Sequence, residues 1–185
     1  MRWDELFADL DAQLSAAEAA ELAAEVADRT RLEVGRLRLV DRLRPSLGAQ
    51  VSVQATGLGT ARGRLLDAGS DWLLLQEEGA RELLLPACSL LSLSGVGGPA
   101  EVPGSEGEVE RRLDLRWALK GLVRSRSGVQ VVLADGSTLT GTLDRVGADH
   151  LDVAEHAPGE PRRSGAVRQV RLVPLSAVSA VRSSG

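Results

Sequence analysis

The stretch that decides the fold is VQVVLADGSTLTGTLDRVGADHLDVAE, residues 129–155, because its pattern is already present earlier in the chain. Residues 51–77, VSVQATGLGTARGRLLDAGSDWLLLQE, align with it without a gap. The match resumes further on, where Pro86 corresponds to Pro174 after a longer insertion in the second copy. A pattern that occurs twice indicates two units of the same fold.

Each copy is predicted to be a small antiparallel barrel. In the second copy, Val129 begins an alternation of apolar and other residues that is typical of a half-buried strand. Asp135-Gly136 then predicts a tight hairpin turn, because these residues tolerate a positive φ. Gly141 and its match Gly63 lie in the middle of the next strand. A glycine there indicates a bend or a close backbone approach, which a small barrel needs in order to close.

Three more strands are expected in each copy. In the second copy, alternating apolar residues follow a turn that contains Asp149, and two further strands are predicted over 167–173 and 178–182. Asp149 and its match Asp71 occupy the same turn position. We expect them to cap backbone N–H groups rather than to perform acid–base chemistry. Five short, bent strands make a barrel of the SH3 or Sm size.

Helices are predicted before both barrels. Apolar residues from Trp3 to Leu14 recur at helical spacing, and alanines and glutamates follow them. The predicted organisation is therefore a helical segment over 1–47, a first barrel over 48–95, a linker and helix over 96–127, and a second barrel over 128–185. Ser105 is the expected N-cap of the second helix, which should end near Arg124. The predicted fold class is α+β, mainly β.

Composition excludes several classes of protein. The chain is 43% hydrophobic and 26% charged, which is ordinary for a globular domain. No apolar run approaches the roughly 20 residues that span a bilayer, and the start does not resemble a signal peptide. The single cysteine, Cys88, fits a reducing compartment. A cytoplasmic protein without a membrane partner is expected.

No constellation of residues predicts catalysis or a cofactor. The chain has no nucleophile elbow of the G-x-S-x-G type and no phosphate-binding loop. His150, Asp152 and His156 could share one face of a strand, but without a cysteine or a further histidine they do not predict a metal site. We therefore expect a protein that is not an enzyme, with no metal and no cofactor.

The second copy resembles the Sm-like superfamily, in particular its bacterial Hfq branch. The resemblance rests on a short helix followed by V-x-V-x-L-x-(D/N)-G-x-x-L-x-G-x-(L/I) over residues 129–143 and by a third apolar strand. SH3-like barrels share the terminal P-L-S-x-(V/I) at residues 174–178. The whole helix-barrel-helix-barrel layout also resembles an actinobacterial protein family, and that second resemblance implies no activity.

The Sm-like resemblance implies a homo-oligomeric ring of barrels that binds RNA. Two departures concern the positions where such proteins hold a base: both copies lack the expected Asn after the second strand, and Leu-Leu-Pro and Leu-Val-Pro replace the Hfq-type Tyr-Lys-His. The net charge of −4 also gives no basic domain for phosphate binding. The candidate RNA-binding residues are a local arginine patch: Arg162, Arg163, Arg168, Arg171, Arg124 and Arg126.

Two functions remain open from the sequence. The first is a non-catalytic RNA-binding, post-transcriptional regulator that is built on tandem Sm-like barrels. The alternative is a protein-interaction or scaffold module that uses barrel edge strands and the N-terminal helix and binds no nucleic acid.

Overall fold

The structure, a computed structural model, describes residues 3–101, 113–157 and 167–183. The chain separates into a first unit, Met1–Arg38, and a second unit, Leu39–Gly185. The first unit is formed by helix α1, Trp3–Val34, whose alanine-rich and glutamate-rich sequence favours a helix. The helix ends before Gly35, as the weak helix propensity of glycine favours. None of the described helices is long and apolar enough to cross a membrane.

The described part of the second unit contains two α-helices and ten strands. Helix α2 spans Leu39–Leu43 and precedes the first copy, and helix α3 spans Leu115–Ser125 and precedes the second. The strands of the first copy are β1 Gln50–Ala55, β2 Gly59–Ala68, β3 Trp72–Gln76, β4 Glu82–Pro86 and β5 Leu90–Ser94. The strands of the second copy are β6 Gly128–Leu133, β7 Thr138–Val146, β8 His150–Glu155, β9 Gln169–Pro174 and β10 Val178–Ser183.

All ten strands belong to one sheet, in the order β5-β1-β2-β3-β4-β10-β6-β7-β8-β9, and every neighbouring pair is antiparallel. The expectation of an α+β protein that is mainly β is confirmed. The strand order describes one open sheet, and two separate barrels are not shown. The two copies share this sheet because β4 of the first copy forms hydrogen bonds to β10 of the second.

The repeat seen in the sequence extends to the backbone hydrogen bonds. Two backbone hydrogen bonds of the first copy have counterparts of nearly the same length in the second copy. The matched bonds are Gly69 N to Trp72 O (2.9 Å) with Gly147 N to His150 O (2.8 Å), and Ala87 N to Asp71 O (2.7 Å) with Leu175 N to Asp149 O (2.7 Å). Both copies therefore use the same turn before their third strand. In both, the aspartate of that turn accepts a backbone hydrogen bond from the residue that follows the proline at the end of the fourth strand.

Two apolar cores lie on the sheet, and each contains residues from both copies. The first core is built mainly from β1 to β4 and α2, and it includes Val132 and Ala180 from the second copy. The second core is built from α3 and the strands of the second copy, and it includes Trp72 and Leu84 from the first. Because the cores exchange residues, we expect the two copies to unfold together.

Helix α3 begins later than the sequence predicts. Asp114 has an extended backbone (φ −80°, ψ 170°), and its carboxylate accepts a hydrogen bond from the amide of Trp117 at 2.8 Å. This is the geometry of an N-cap, so α3 starts at Leu115, and a continuous helix from Ser105 is wrong. Ser105 itself lies outside the described residues. The helix ends at Ser125, close to the predicted end.

Candidate functional site

The two ends of the sheet, β5 and β9, are edge strands that pair on one side only within the described part of the chain. The edges carry few of the features with which proteins usually block such strands: β5 has no charged residue, and β9 has one, Arg171, and ends at Pro174. On β9 the side chain of Leu172 is 70% exposed. The matching residue on β4, Leu84, is 5% exposed, because β10 lies beside it.

The junction between the copies shows how such an edge is covered. Val181 of β10 lies opposite Leu84 of β4, and Arg182 lies opposite Leu83. The guanidinium of Arg182 donates two hydrogen bonds to the carboxylate of Glu77, at 2.7 and 3.0 Å. A bidentate arginine–carboxylate pair is directional, and here it fixes β10 against the end of β3.

Helix α3 covers the outer face of this junction. It contributes Trp117 and Leu122 to an apolar pocket of about 200 Å³, whose opposite wall contains Trp72, Leu74 and Leu84. The indole of Trp72 is buried and donates its Nε1–H to the carbonyl oxygen of Leu113 at 2.9 Å. From the sequence, Trp72 at the start of a strand could be a surface aromatic for stacking or a core residue, and its burial supports the second interpretation.

A second, wider groove of about 650 Å³ lies at the corresponding place in the second copy. It brings together Arg124 and Arg126 at the end of α3 with Arg145 of β7, while Asp152 of β8 and Val170 of β9 form its other side. The carboxylate atom Oδ1 of Asp152 is buried and accepts no hydrogen bond from the described residues. The groove therefore combines three arginines with the carboxylates of Asp144 and Asp152. Oδ2 of Asp152 lies 4.0 Å from Nε of Arg145, and its Oδ1 lies 3.9 Å from Nε2 of His150.

Of the other predicted arginines, Arg168 and Arg171 are not among the residues that line this groove. Arg168 is exposed, and its amide donates to the carbonyl of Glu155 at 2.9 Å. Arg171 forms an ion pair with the carboxylate of Glu155. Arg162 and Arg163 lie outside the described residues. The structure thus brings Arg124 and Arg126 together, adds Arg145, and places Arg168 and Arg171 beside the edge strand.

The two strand glycines, Gly63 in β2 and Gly141 in β7, lie where the next strand comes very close. A Cβ atom on Gly63 would be 2.5 Å from the carbonyl oxygen of Gln76, and one on Gly141 would be 2.0 Å from that of Ala154. Each strand also shifts register shortly after its glycine, between Leu65 and Asp67 in β2 and at the matching place in β7. Such shifts bend a strand.

Asp135 and Gly136 form the turn between β6 and β7. Gly136 has a φ of 87°, which favours glycine. The carboxylate of Asp135 accepts hydrogen bonds from the hydroxyl of Ser137 at 2.6 Å and from its amide at 2.9 Å. The hydrogen bond from the hydroxyl, followed by the one from the amide, lowers the pKa of Asp135.

The matched aspartates Asp71 and Asp149 have different partners. The carboxylate of Asp71 accepts a hydrogen bond from the amide of Leu115 at 2.7 Å, so it holds the first residue of α3 from the other copy. The carboxylate of Asp149 accepts a hydrogen bond from Nδ1 of His150 at 2.9 Å, which lowers the pKa of Asp149. Of these two matched aspartates, only Asp71 accepts a hydrogen bond from a helix amide.

The histidines of the second copy are engaged separately. His156 is buried, with Nε2 at 2.7 Å from the hydroxyl of Thr142 and Nδ1 at 3.0 Å from the carbonyl oxygen of Ala157. Because a carbonyl oxygen only accepts, Nδ1 holds the proton and Nε2 accepts from Thr142 in the neutral ring. Within the described ranges, no group of three or more His, Cys, Asp or Glu side chains is arranged so that it could hold a metal ion.

Comparison of the chain with protein-family models and with curated proteins finds no match. Arguments about function therefore rest on the geometry of the edges and the groove.

Proposed function

We propose that this protein is a non-catalytic cytoplasmic interaction module that binds a partner through its sheet edges. The observation that supports this most is the contrast between Leu172, which is 70% exposed on β9, and its match Leu84, which is 5% exposed under β10. An edge strand with an exposed apolar side chain is a template for another strand, because the backbone donors and acceptors on its open side can pair with those of a partner.

We further propose that the two halves of the sheet are divergent Sm-like barrels joined edge to edge. Three observations support this. Each half has the strand order fifth, first, second, third, fourth. Each half has a glycine in its second strand, Gly63 or Gly141, where the neighbouring backbone leaves no room for a Cβ atom. Each second strand also shifts register just beyond that glycine, which increases its bend.

The edge proposal is tested by expressing two differently tagged copies of the chain together in cells. One copy is purified through its tag, and the retained proteins are compared between wild type and the edge variant Leu172→Lys. Leu47→Lys is the matched control, because Leu47 is also an exposed leucine and lies on neither edge strand. We expect at least one protein to be retained by wild type and by Leu47→Lys and lost from Leu172→Lys. Equal retention by all three would contradict the proposal.

RNA binding is a second candidate function, and the groove supports it. Arg124, Arg126 and Arg145 line one surface. Clustered guanidinium groups bind phosphates by releasing counterions, and they form bidentate hydrogen bonds to phosphate oxygens. In this proposal the groove would hold the backbone of a single strand, and the exposed side chain of Arg168 would extend the contact.

The RNA proposal is tested by fluorescence anisotropy with a labelled single-stranded RNA at low and high salt. We expect binding that weakens as salt rises, and a loss of at least about tenfold in affinity for Arg124→Glu/Arg126→Glu, since each phosphate contact adds to the salt-dependent term. The matched control is Arg29→Glu/Arg31→Glu, which makes the same charge change on α1. Arg162→Glu/Arg163→Glu tests the insertion separately. Equal binding by the groove and control variants would exclude the groove as the RNA site.

A further inference from the structure

We infer that the pocket between helix α3 and the junction of the two copies binds a small quaternary ammonium cation. The pocket has a volume of about 200 Å³, and two tryptophans line it, Trp72 of β3 and Trp117 of α3. Its charged lining residues are both acidic, Asp67 of β2 and Glu82 of β4. The inference goes beyond the proposed functions, because it uses neither the open edge strands nor the arginine groove.

Hydrogen bonds fix the elements that carry the two tryptophans. The indole of Trp72 donates to the carbonyl oxygen of Leu113 at 2.9 Å. The backbone amide of Trp117 donates to the carboxylate of Asp114 at 2.8 Å, and Asp71 accepts from the first amide of the same helix at 2.7 Å. The start of α3 is therefore held beside the pocket, and a ligand would not have to order it on binding.

Trp117 has a free surface that the fold does not use. It is 48% exposed and is not among the residues of the second apolar core, whereas Trp72 is 4% exposed and belongs to that core. Aromatic side chains stabilise a fold mainly through the area they bury. The uncovered part of Trp117 is therefore available to a ligand in the pocket.

The two acidic residues give the pocket a negative charge. Asp67 and Glu82 are exposed, and neither forms an ion pair with another described residue. The carboxylate of Asp67 accepts from the amide of Ala68 at 2.8 Å, and the amide of Glu82 donates to the hydroxyl of Ser183 at 2.8 Å. Charges of one sign beside apolar walls concentrate ligands of the opposite sign.

The acidic residues are not required by the repeated fold. Asp67 corresponds in the repeat to Arg145, and Glu82 corresponds to Val170. Both counterparts line the arginine groove of the second copy. The repeat therefore accepts a basic or an apolar residue at these positions, and it has two acids only at the pocket that contains Trp117.

A quaternary ammonium group suits this combination of tryptophans, leucines and carboxylates. A cation within about 6 Å of a ring centre is attracted by the electrons of the ring, and tryptophan is the best partner. A quaternary ammonium has no N–H group, so no hydrogen-bond donor is left unpaired when its methyl groups lie against Leu74, Leu84 and Leu122. Pockets for drug-sized ligands have roughly 300–1,000 Å³, so this smaller pocket fits a small cation.

The test is titration of the isotope-labelled full chain with choline, followed by nuclear magnetic resonance of the indole N–H groups of its three tryptophans. We expect the signals of Trp72 and Trp117 to move, and that of Trp3, which lies on α1, to stay. The neutral analogue of choline, in which a tert-butyl group replaces the trimethylammonium group, should bind at least about tenfold more weakly. Potassium chloride at the same ionic strength should move none of the three signals.

Variants identify the groups that bind the cation. With the Trp72 signal as the readout, Trp117→Leu should weaken choline binding at least about fivefold, since it removes an aromatic ring. Its matched control is Trp3→Leu, which makes the same change at a tryptophan that is 72% exposed.

The charge is tested in the same way. Asp67→Asn/Glu82→Gln should weaken choline binding about threefold and make it less sensitive to salt, because exposed charges are screened. Its matched control is Glu18→Gln/Glu21→Gln, which removes the same charge from exposed positions on α1. Both control variants should bind choline as wild type does.

Three results would each overturn the inference. Equal affinity of wild type for choline and for its neutral analogue would show that the pocket does not select a cation. Unchanged choline binding by Trp117→Leu, with an unchanged circular dichroism spectrum, would exclude the aromatic contact. The third result is no movement of the Trp72 and Trp117 signals up to about 100 mM choline, since a ligand of so few atoms is expected to have a Kd on the order of 1 mM.

Discussion

Gly141 provides a quantitative test of the close strand approach in the second copy. It lies in β7 between Val129 of β6 and Glu155 of β8. In a Gly141→Ala variant the new Cβ would be 2.0 Å from the carbonyl oxygen of Ala154 and 2.8 Å from its carbonyl carbon. Both atoms belong to the backbone, so the clash cannot be relieved by a side-chain rotation. Strand β8 would have to move by about 1 Å before the shorter contact reached 3.0 Å.

The expected cost follows from two opposing effects. Overpacking in a well-packed site costs about 1–3 kcal/mol. A clash with both the oxygen and the carbon of a backbone carbonyl belongs at the upper end of that range. Alanine is favoured over glycine within a strand by about 0.5–1 kcal/mol, which offsets part of that cost. We therefore expect Gly141→Ala to lower the free energy of unfolding by about 2 kcal/mol.

The assay is urea denaturation followed by circular dichroism, with Gly121→Ala as the matched control. Gly121 lies inside α3, and nothing comes within 4 Å of the position that its Cβ would occupy. Its substitution should raise the free energy of unfolding by about 0.5–1 kcal/mol, since alanine is the better helix former. A Gly141→Ala variant as stable as wild type would refute the argument that this strand approach requires a residue without Cβ.

Three further predictions concern single side chains, each measured by denaturation. Trp72→Phe should cost about 2 kcal/mol, because it removes a buried hydrogen bond and part of a core side chain. Asp71→Ala should cost about 1 kcal/mol through loss of the hydrogen bond to the first amide of α3, and more than Asp149→Ala, whose carboxylate contacts no helix amide. Asp135 has a lowered pKa in the folded protein, because the serine two residues later donates to it. The Asp135 carboxylate therefore adds to the free energy of unfolding above its unfolded-state pKa, and this contribution is lost as pH falls through its folded-state pKa. We expect the free energy of unfolding of Asp135→Asn to depend less on pH than that of wild type below about pH 4. An unchanged profile would contradict this.

Local structure was the most predictable part of the fold. The Asp135-Gly136 turn and the strand after it follow from residues close together in sequence, and β7, Thr138–Val146, contains Gly141 as predicted. The start of α3 was missed, because both Ser105 and Asp114 precede the helix in sequence and both are residue types that cap helices. The extended backbone of Asp114 identifies it as the N-cap of α3.

The candidate site was predictable only in part. Arg124 and Arg126 were expected to lie near each other at the end of a helix, and the groove also contains Arg145, which the patch in the sequence did not include. The matched position of Asp71 and Asp149 predicted the same role for both. Their partners differ because α3 begins beside the turn that contains Asp71, and no sequence pattern placed it there.

The sequence by itself determined the repeat, the positions of most strands and the sites of bending, because these depend on φ preferences and on alternation over a few residues. Only the tertiary structure decided that the copies join through β4 and β10, exchange Trp72 and Ala180 between their cores, and leave β5 and β9 open. The physical reason is that backbone hydrogen bonds between strands are the same for almost any side chain. The choice of neighbour therefore depends on which edges the rest of the chain brings together, as it brings β10 beside the leucines of β4.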